Sequence, residues 1–236
     1  MKANFLVWTS LLFIGGYLFL TNSPLFELKS IVLKGDFYKD TNDLNKLFTF
    51  FMGENIFKIP LKDIEKMIRG DPKIKEVKIE KRLPSELMVY VFRKKPVFLV
   101  NLDNIYGFTE KREIIPLFAK DESYRYPIIT GLGLSSFNFY RQINTQKTNL
   151  STDIYHAIKE VDSTFFSMIS EINLRDLDNP VLYLFPYGVK VMLGTGDYPI
   201  KIKRLKSILA LEDSKDIKSI DLRFKSQALV KKVKEG

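Results

Sequence analysis

The feature that most constrains this chain is its opening, Phe5 to Leu20, FLVWTSLLFIGGYLFL, sixteen residues without a charge. As a helix rising ~1.5 Å per residue it covers roughly 24 Å, against a hydrocarbon core of ~30 Å. Asn4, Thr21 and Asn22 extend it, since flanking residues snorkel and bilayers thin locally. Trp8 and Tyr17 lie near its ends, where amphipathic rings favour the interface, and Pro24 stops it. A cleaved signal peptide needs a basic start, a shorter apolar stretch and a small-x-small site. Here the basic start is Lys2 alone, and Thr21-Asn22-Ser23-Pro24 supplies no such site. The pattern therefore predicts a single-pass transmembrane helix over residues 5–22 behind a cytoplasmic tail of residues 1–4. Lys2 and the amino terminus favour the cytoplasmic side, and long domains translocate largely regardless of charge. The bulk of the chain is expected outside the cytoplasmic membrane.

Composition narrows the chemistry. The chain has 236 residues, 45% of them hydrophobic and 28% charged, which suits globular domains beyond the anchor. It has no cysteine and one histidine, His156. Disulfides, thiolate zinc sites and cysteine nucleophiles are excluded, and a histidine-rich metal centre with them. A net charge of +9 suits an anionic neighbour without choosing one, and an extracytoplasmic location demotes nucleic acid.

Residues 25–98 read as one unit. Residues 26–34, FELKSIVLK, form an apolar, β-branched run that stops at Gly35. In 41–51, Leu44, Leu47, Phe48 and Phe51 share one helix face, with Thr41 or Asn42 as the cap. Residues 60–69 begin with a proline suited to a first helical position, and Leu61, Ile64 and Ile68 form the buried stripe. Strands follow at 74–80 and 86–93, and 96–100 extends or restarts the second. The order is β-α-α-β-β, two helices on one face of a small mixed sheet.

This order resembles a POTRA domain, and more narrowly that of the FtsQ/DivIB family of bacterial cell-division proteins. The resemblance rests on Gly53-Glu54-Asn55-Ile56-Phe57, Asp71-Pro72-Lys73-Ile74, Arg82-Leu83-Pro84-Ser85-Glu86-Leu87 and Lys94-Lys95-Pro96-Val97. It continues into a second unit, 99–233, with 234–236 as a short tail. Tyr126-Pro127-Ile128-Ile129-Thr130-Gly131 resembles the family's P-x-[IVL]-x-G signature. Leu193-Gly194 followed by Lys203-Arg204-Leu205 is similar to its L-G…K-x-x-R-L pattern with looser Lys–Arg spacing. Ile220-Asp221-Leu222-Arg223-Phe224-Lys225-Ser226-Gln227 is similar to its I-D-L-R-Y/F-x-x-Q signature.

Within this second unit, 105–130 is β-like and 132–149 aperiodic. Ser151 is the expected cap of a helix running to about Met168, with Leu150 and Tyr155 as a hydrophobic staple. Strands are expected at 170–175, 181–185 and 189–193, a basic helix at 199–211, and strands at 217–224 and 228–233. The fold class is α+β: an anchor helix, the β-α-α-β-β unit, then a mixed or antiparallel β-domain with packed helices.

No catalytic constellation emerges. His156 reads as a helix surface residue, Asp176 and Asp178 as turn formers, and Gly194-Thr195-Gly196-Asp197 as a tight connection lacking a P-loop lysine. Asp221 and Arg223 read as a structural ion pair. The basic run 201–206 reads as a solvated face, with lipid headgroups or a partner as the other reading. No cofactor or metal is expected, and no enzyme activity. The last strand lies near the chain's end, and an edge strand offers unpaired backbone groups to a partner strand. The resemblance implies that this region holds FtsB, in a complex with FtsL, with Phe224, Ser226, Ala228, Leu229 and Val230 contributing. It implies a non-enzymatic scaffold in the inner membrane at the division septum, serving septal peptidoglycan synthesis, with the bulk in the periplasm. The alternatives are a POTRA-bearing envelope assembly or secretion factor and, more remotely, a membrane-anchored wall enzyme.

Overall fold

The computed structural model describes residues 2–36, 41–117 and 126–233. The chain divides into two compact units, Met1–Lys94 and Lys95–Gly236.

The first unit opens with helix α1, Lys2–Asn22. Its side chains are described from Val7 onward and are largely exposed, Leu12 and Phe13 at 76% and 80%. Among the described residues, no helix is long and apolar enough to cross a membrane. At ~1.5 Å per residue the described apolar stretch rises about 20 Å, short of a ~30 Å core. The span expected over residues 5–22 begins with Phe5 and Leu6, which lie outside the described side chains.

Strand β1 (Ser30–Gly35), helices α2 (Thr41–Thr49) and α3 (Leu61–Arg69), and strands β2 (Ile74–Arg82) and β3 (Glu86–Arg93) complete this unit. The expected caps Thr41 and Asn42 lie outside the described side chains. The sheet order is β1-β3-β2, with β1 parallel and β2 antiparallel to the central strand. Being central, β3 buries Leu87, Val89 and Val91 toward the helices and Met88 on its other face. The helix stripes meet them: Phe48 from α2, Ile64 and Ile68 from α3, joined by Phe26, Leu28, Ile56 and Ile59.

Two local details differ from expectation. The run 26–34 is not one strand. Its first part pairs with the helix–helix link, Ile56 N to Phe26 O at 2.8 Å and Leu28 N to Glu54 O at 2.9 Å, before β1 begins. Pro60 is the N-cap of α3 rather than its first residue.

The second unit holds a nine-stranded sheet. Its strands are β4 (Phe98–Asn101), β5 (Ile105–Phe108), β6 (Ile114–Ile115), β7 (Ile128–Thr130), β8 (Ile169–Asn173), β9 (Val181–Leu184), β10 (Val189–Met192), β11 (Ile217–Asp221) and β12 (Leu229–Lys232). The order is β12-β11-β10-β9-β8-β7-β4-β5-β6. Helix α4 (Gln146–Asp162) connects parallel β7 and β8, and α5 (Tyr198–Leu211) connects parallel β10 and β11. Parallel neighbours require such crossovers. Ile154 and Ile158 of α4 and Ile202 and Leu205 of α5 pack in one cluster with Phe98, Ile129, Ile172, Leu182, Val191 and Ile220 of the strands.

The strand expected at 96–100 does not extend β3; as β4 it belongs to the large sheet. Val97 N donates to Phe108 O at 2.8 Å and Leu99 N to Pro127 O at 3.0 Å. The α4 expectation is also corrected. The helix starts five residues before Ser151, capped by Thr145, whose hydroxyl accepts from Thr148 N at 3.1 Å while Thr148 Oγ1 accepts from Thr145 N at 2.9 Å. Ser151 is buried inside the helix and bonds Thr148 O, so Leu150 and Tyr155 form no staple. The helix ends at Asp162, and Ser163–Met168 is a separate 3-10 segment. Gly131, the end of the P-x-[IVL]-x-G resemblance, has φ +78°, and a Cβ there would lie 2.5 Å from Arg175 N. Glycine is required by both the left-handed backbone and the close approach.

Candidate functional site

The two edges of the nine-stranded sheet are treated differently. At the β6 edge the segment 140–143 adds itself: Tyr140 N donates to Ile114 O at 2.9 Å, Ile143 N to Arg112 O at 2.9 Å, and Glu113 bridges Gln142. At the other edge, among the described residues, β12 pairs with β11 alone, antiparallel, with Val230 opposite Ile220 and Leu229 opposite Asp221. Amides alternate sides along an antiparallel strand. Val233 N donates back to Asp216 O at 2.9 Å, and on the far side of β11 Leu222 N donates to Met192 O at 2.8 Å. The alternation turns the Leu229 and Lys231 amides toward β11 and those of Val230 and Lys232 away from the sheet. The β12 edge thus presents a short row of outward backbone groups. Leu229 is 58% and Val230 37% exposed.

The first unit guards its own edge β2 with side chains. Glu65 of α3 accepts from Ile79 N at 2.8 Å, and Arg69 donates to Val77 O at 3.3 Å. Such covering is a common protection of strand edges. At β12 the comparable device is weaker: Lys231 and Lys232 stand on the strand, the latter paired with Glu212 at 2.8 Å.

The loop entering β12 is held from α5. Arg204 donates through Nη1 to Phe224 O (3.0 Å) and Gln227 O (3.3 Å), and through Nη2 to Lys225 O (2.6 Å). A planar guanidinium suits this, offering several fixed donors at once. One helical turn earlier, Lys201 is 5% exposed and donates from Nζ to Leu193 O and Thr195 O, both at 2.7 Å. Burial pushes its ammonium below the usual lysine value. Lys201 thus ties the exit of β10 and Arg204 the exit of β11. The basic run 201–206 is therefore no simple solvated face, because Lys206 also pairs with Asp162. Lys201-Ile202-Lys203-Arg204-Leu205 fits K-x-x-R-L without the looser spacing read at Lys203. That spacing was the available signal for a joint role; what each cation holds is visible only in three dimensions. Replacing Lys201 with methionine is expected to cost about 1–3 kcal/mol, the penalty for carbonyls left without a donor, read as a lower midpoint in denaturant unfolding of the full chain.

At the end of β11, Arg223 grips Asp221: Nη2 to Oδ2 at 2.6 Å and Nε to Oδ1 at 2.9 Å. Hydrogen bonding to Arg223 holds the Asp221 carboxyl below its ordinary range. The expected structural pair is present. The Arg223 side chain lies over Gly194, where a Cβ would meet its Cγ at 2.9 Å, so the L-G and D-L-R elements are neighbours across β10 and β11.

The residues read as partner contacts fall around this edge. Leu229 and Val230 lie on β12; Phe224 is 48% exposed and Ser226 exposed in the loop that Arg204 holds; Ala228 is half-buried against the core. The other polar candidates take structural places. Asp176 accepts from Asp178 N at 3.0 Å, and His156 sits on the α4 surface 3.7 Å from Glu110.

A three-stranded β-α-α-β-β unit followed by a crossover-built sheet with one open edge defines an edge-presenting two-domain chain. Comparison with known proteins narrows it. Residues 26–92 match the family described as POTRA domain, FtsQ-type, and residues 110–223 match Cell division protein FtsQ/DivIB, C-terminal. The cell division protein DivIB of Clostridium botulinum (strain Loch Maree) is 33% identical over 183 residues, 74% of this chain and 68% of that protein. The FtsQ proteins of Geotalea daltonii and Syntrophotalea carbinolica are 25% and 22% identical over 77% and 79% of this chain. The matched stretch spans 66% of each of these two relatives, just under two thirds of their length. The chain belongs to the FtsQ/DivIB family of cell-division proteins.

Proposed function

We propose that this chain is a non-enzymatic scaffold of the bacterial divisome, held in the cytoplasmic membrane by α1 with its two folded units outside. It links early and late division proteins and recruits an FtsB/FtsL-type complex for septal peptidoglycan synthesis. The observation that carries this reading is the open β12 edge, set by Arg204 and flanked by Phe224, Ser226, Ala228, Leu229 and Val230. A strand from the partner adds to this edge, its backbone meeting the outward groups of Val230 and Lys232. The POTRA-type unit docks further septal proteins.

The anchor reading draws on α1 itself. Ser10 Oγ donates to Val7 O at 2.8 Å and Thr21 Oγ1 to Tyr17 O at 2.8 Å, so these hydroxyls are satisfied within the helix, as lipid requires. Phe5 and Leu6 lengthen the apolar sequence toward the membrane core's thickness, and flanking residues and local thinning meet the remainder.

A fluorescent tag on the amino terminus tests the reading in dividing cells of the host. A band at the constriction site is expected. An even peripheral halo in visibly constricting cells would refute it and favour an envelope assembly factor.

A further inference from the structure

The end of α1 is built into the folded unit that follows it. Helix ends leave their last carbonyls without partners. Here three carbonyls of the final turns are taken: Asn22 Nδ2 donates to Leu18 O at 3.0 Å, Ser23 N to Phe19 O at 3.0 Å, and Asn55 Nδ2 to Leu20 O at 2.9 Å. The last comes from the helix–helix link of the folded unit, 35 residues away. Asn55 is buried, and its Oδ1 accepts from Phe57 N at 3.0 Å. Rings continue the joint, Phe19 edge-on to Phe26 at 6.0 Å and Phe26 to Phe57 at 5.2 Å. Two ammonium groups sit beside it. Lys58 Nζ is 3.5 Å from Asn22 Oδ1, and Lys81 Nζ lies 5.8 Å from the Phe57 ring centre and 3.5 Å from its carbonyl.

We propose that Asn55 locks α1 and the first folded unit into one rigid body, so that this unit stands on the bilayer with Lys58 and Lys81 against anionic lipid headgroups. The proposal rests on α1 being the membrane anchor. A chain ending its membrane segment at Asn22 with no slack before Phe26 holds these two lysines at the headgroup level. Lysines at that level are attracted by anionic lipid. A flexible tether would instead let the unit tumble, and neither lysine would have a fixed height. This gives the asparagine of the Gly53-Glu54-Asn55-Ile56-Phe57 link a role: its amide donates to the helix end and its oxygen accepts from the strap bearing Lys58.

The chain has no cysteine, so Glu54→Cys, exposed beside the joint, accepts a single spin label. The full chain is reconstituted in vesicles of phosphatidylcholine with phosphatidylglycerol, or of phosphatidylcholine alone, each doped with a nickel-chelating lipid. Nickel-induced relaxation of the label reads its height and steadiness. Strong relaxation with phosphatidylglycerol is expected, with a severalfold drop when Lys58 and Lys81 are both changed to glutamine. Asn55→Asp keeps the acceptor for Phe57 N, loses the donor to Leu20 O and sets a carboxylate against the negative helix end. It is expected to abolish the fixed height while leaving the circular dichroism of the folded units unchanged. Equal relaxation in Asn55→Asp, or in both lipid mixtures, would overturn the proposal. So would weak relaxation of a chain that resists alkaline carbonate extraction, in which case the anchor reading stands. Extraction of the parent chain by carbonate would defeat both.

Discussion

Proline at Val230 is expected to abolish co-purification with the FtsB/FtsL-type partner while the protein stays folded. The Val230 amide faces away from β11, so its loss breaks no bond within the sheet, and proline is tolerated where a strand's N–H faces solvent. A partner strand docked there would lose a donor and leave its own carbonyl unpaired. That costs about 1–3 kcal/mol, roughly a five- to 150-fold loss of affinity, before any clash with the ring. Lys231→Pro is the informative companion. Its amide faces β11 opposite Ser219, so it should detach β12 itself and lower the unfolding midpoint as well. Unchanged co-purification with Val230→Pro would count heavily against strand addition at this edge.

Alanine at Arg204 is expected to weaken the same interaction at a distance. The guanidinium supplies the bonds to Phe224, Lys225 and Gln227 carbonyls, which set how the chain re-enters the sheet at Leu229. Those carbonyls lie near solvent and can rehydrate, so the stability cost is modest, about 0.5–1.5 kcal/mol. The effect on function falls on the aim of β12: partner affinity drops about tenfold or more, equivalent to about 1.4 kcal/mol or more, and the β12 amides exchange faster. Lysine at 204 should restore little, because a point charge on a flexible stem cannot reproduce a planar fork. Titration of the partner against Arg204→Ala and Arg204→Lys checks this. Wild-type affinity in both would reduce Arg204 to a local stabiliser.

Much of this arrangement is legible in the residues, and the losses have physical causes. The helices of the first unit show because their apolar positions recur at helical spacing, and Leu61, Ile64 and Ile68 face inward as read, Leu61 only partly buried. The Asp221–Arg223 pair is legible because the two are two residues apart, alternating with Ile220 and Leu222 as the chain leaves β11. Sheet membership is not: a short apolar stretch such as Phe98-Leu99-Val100 pairs wherever a neighbour offers, and local pattern is blind to whether that is β3 or the second sheet. Caps carry a similar ambiguity. Thr145 and Ser151 are both good capping types, and the choice fell to the buried position of Ser151 in the folded helix. The clamps at Lys201 and Arg204 were least visible, since each joins a helix to carbonyls of distant loops and leaves no periodic trace. Only the K-x-x-R-L spacing hinted at them.

Backbone exchange at β12 tests the central claim most directly. With the full chain in a detergent or nanodisc preparation, amide hydrogen exchange is followed residue by residue with and without the FtsB/FtsL-type complex. Strand addition predicts selective protection of the outward amides, Val230 and Lys232, on binding, with little change at Leu229 and Lys231, already bonded to β11. Binding that leaves Val230 and Lys232 exchanging at their free rates would contradict the account and place the partner elsewhere on the chain.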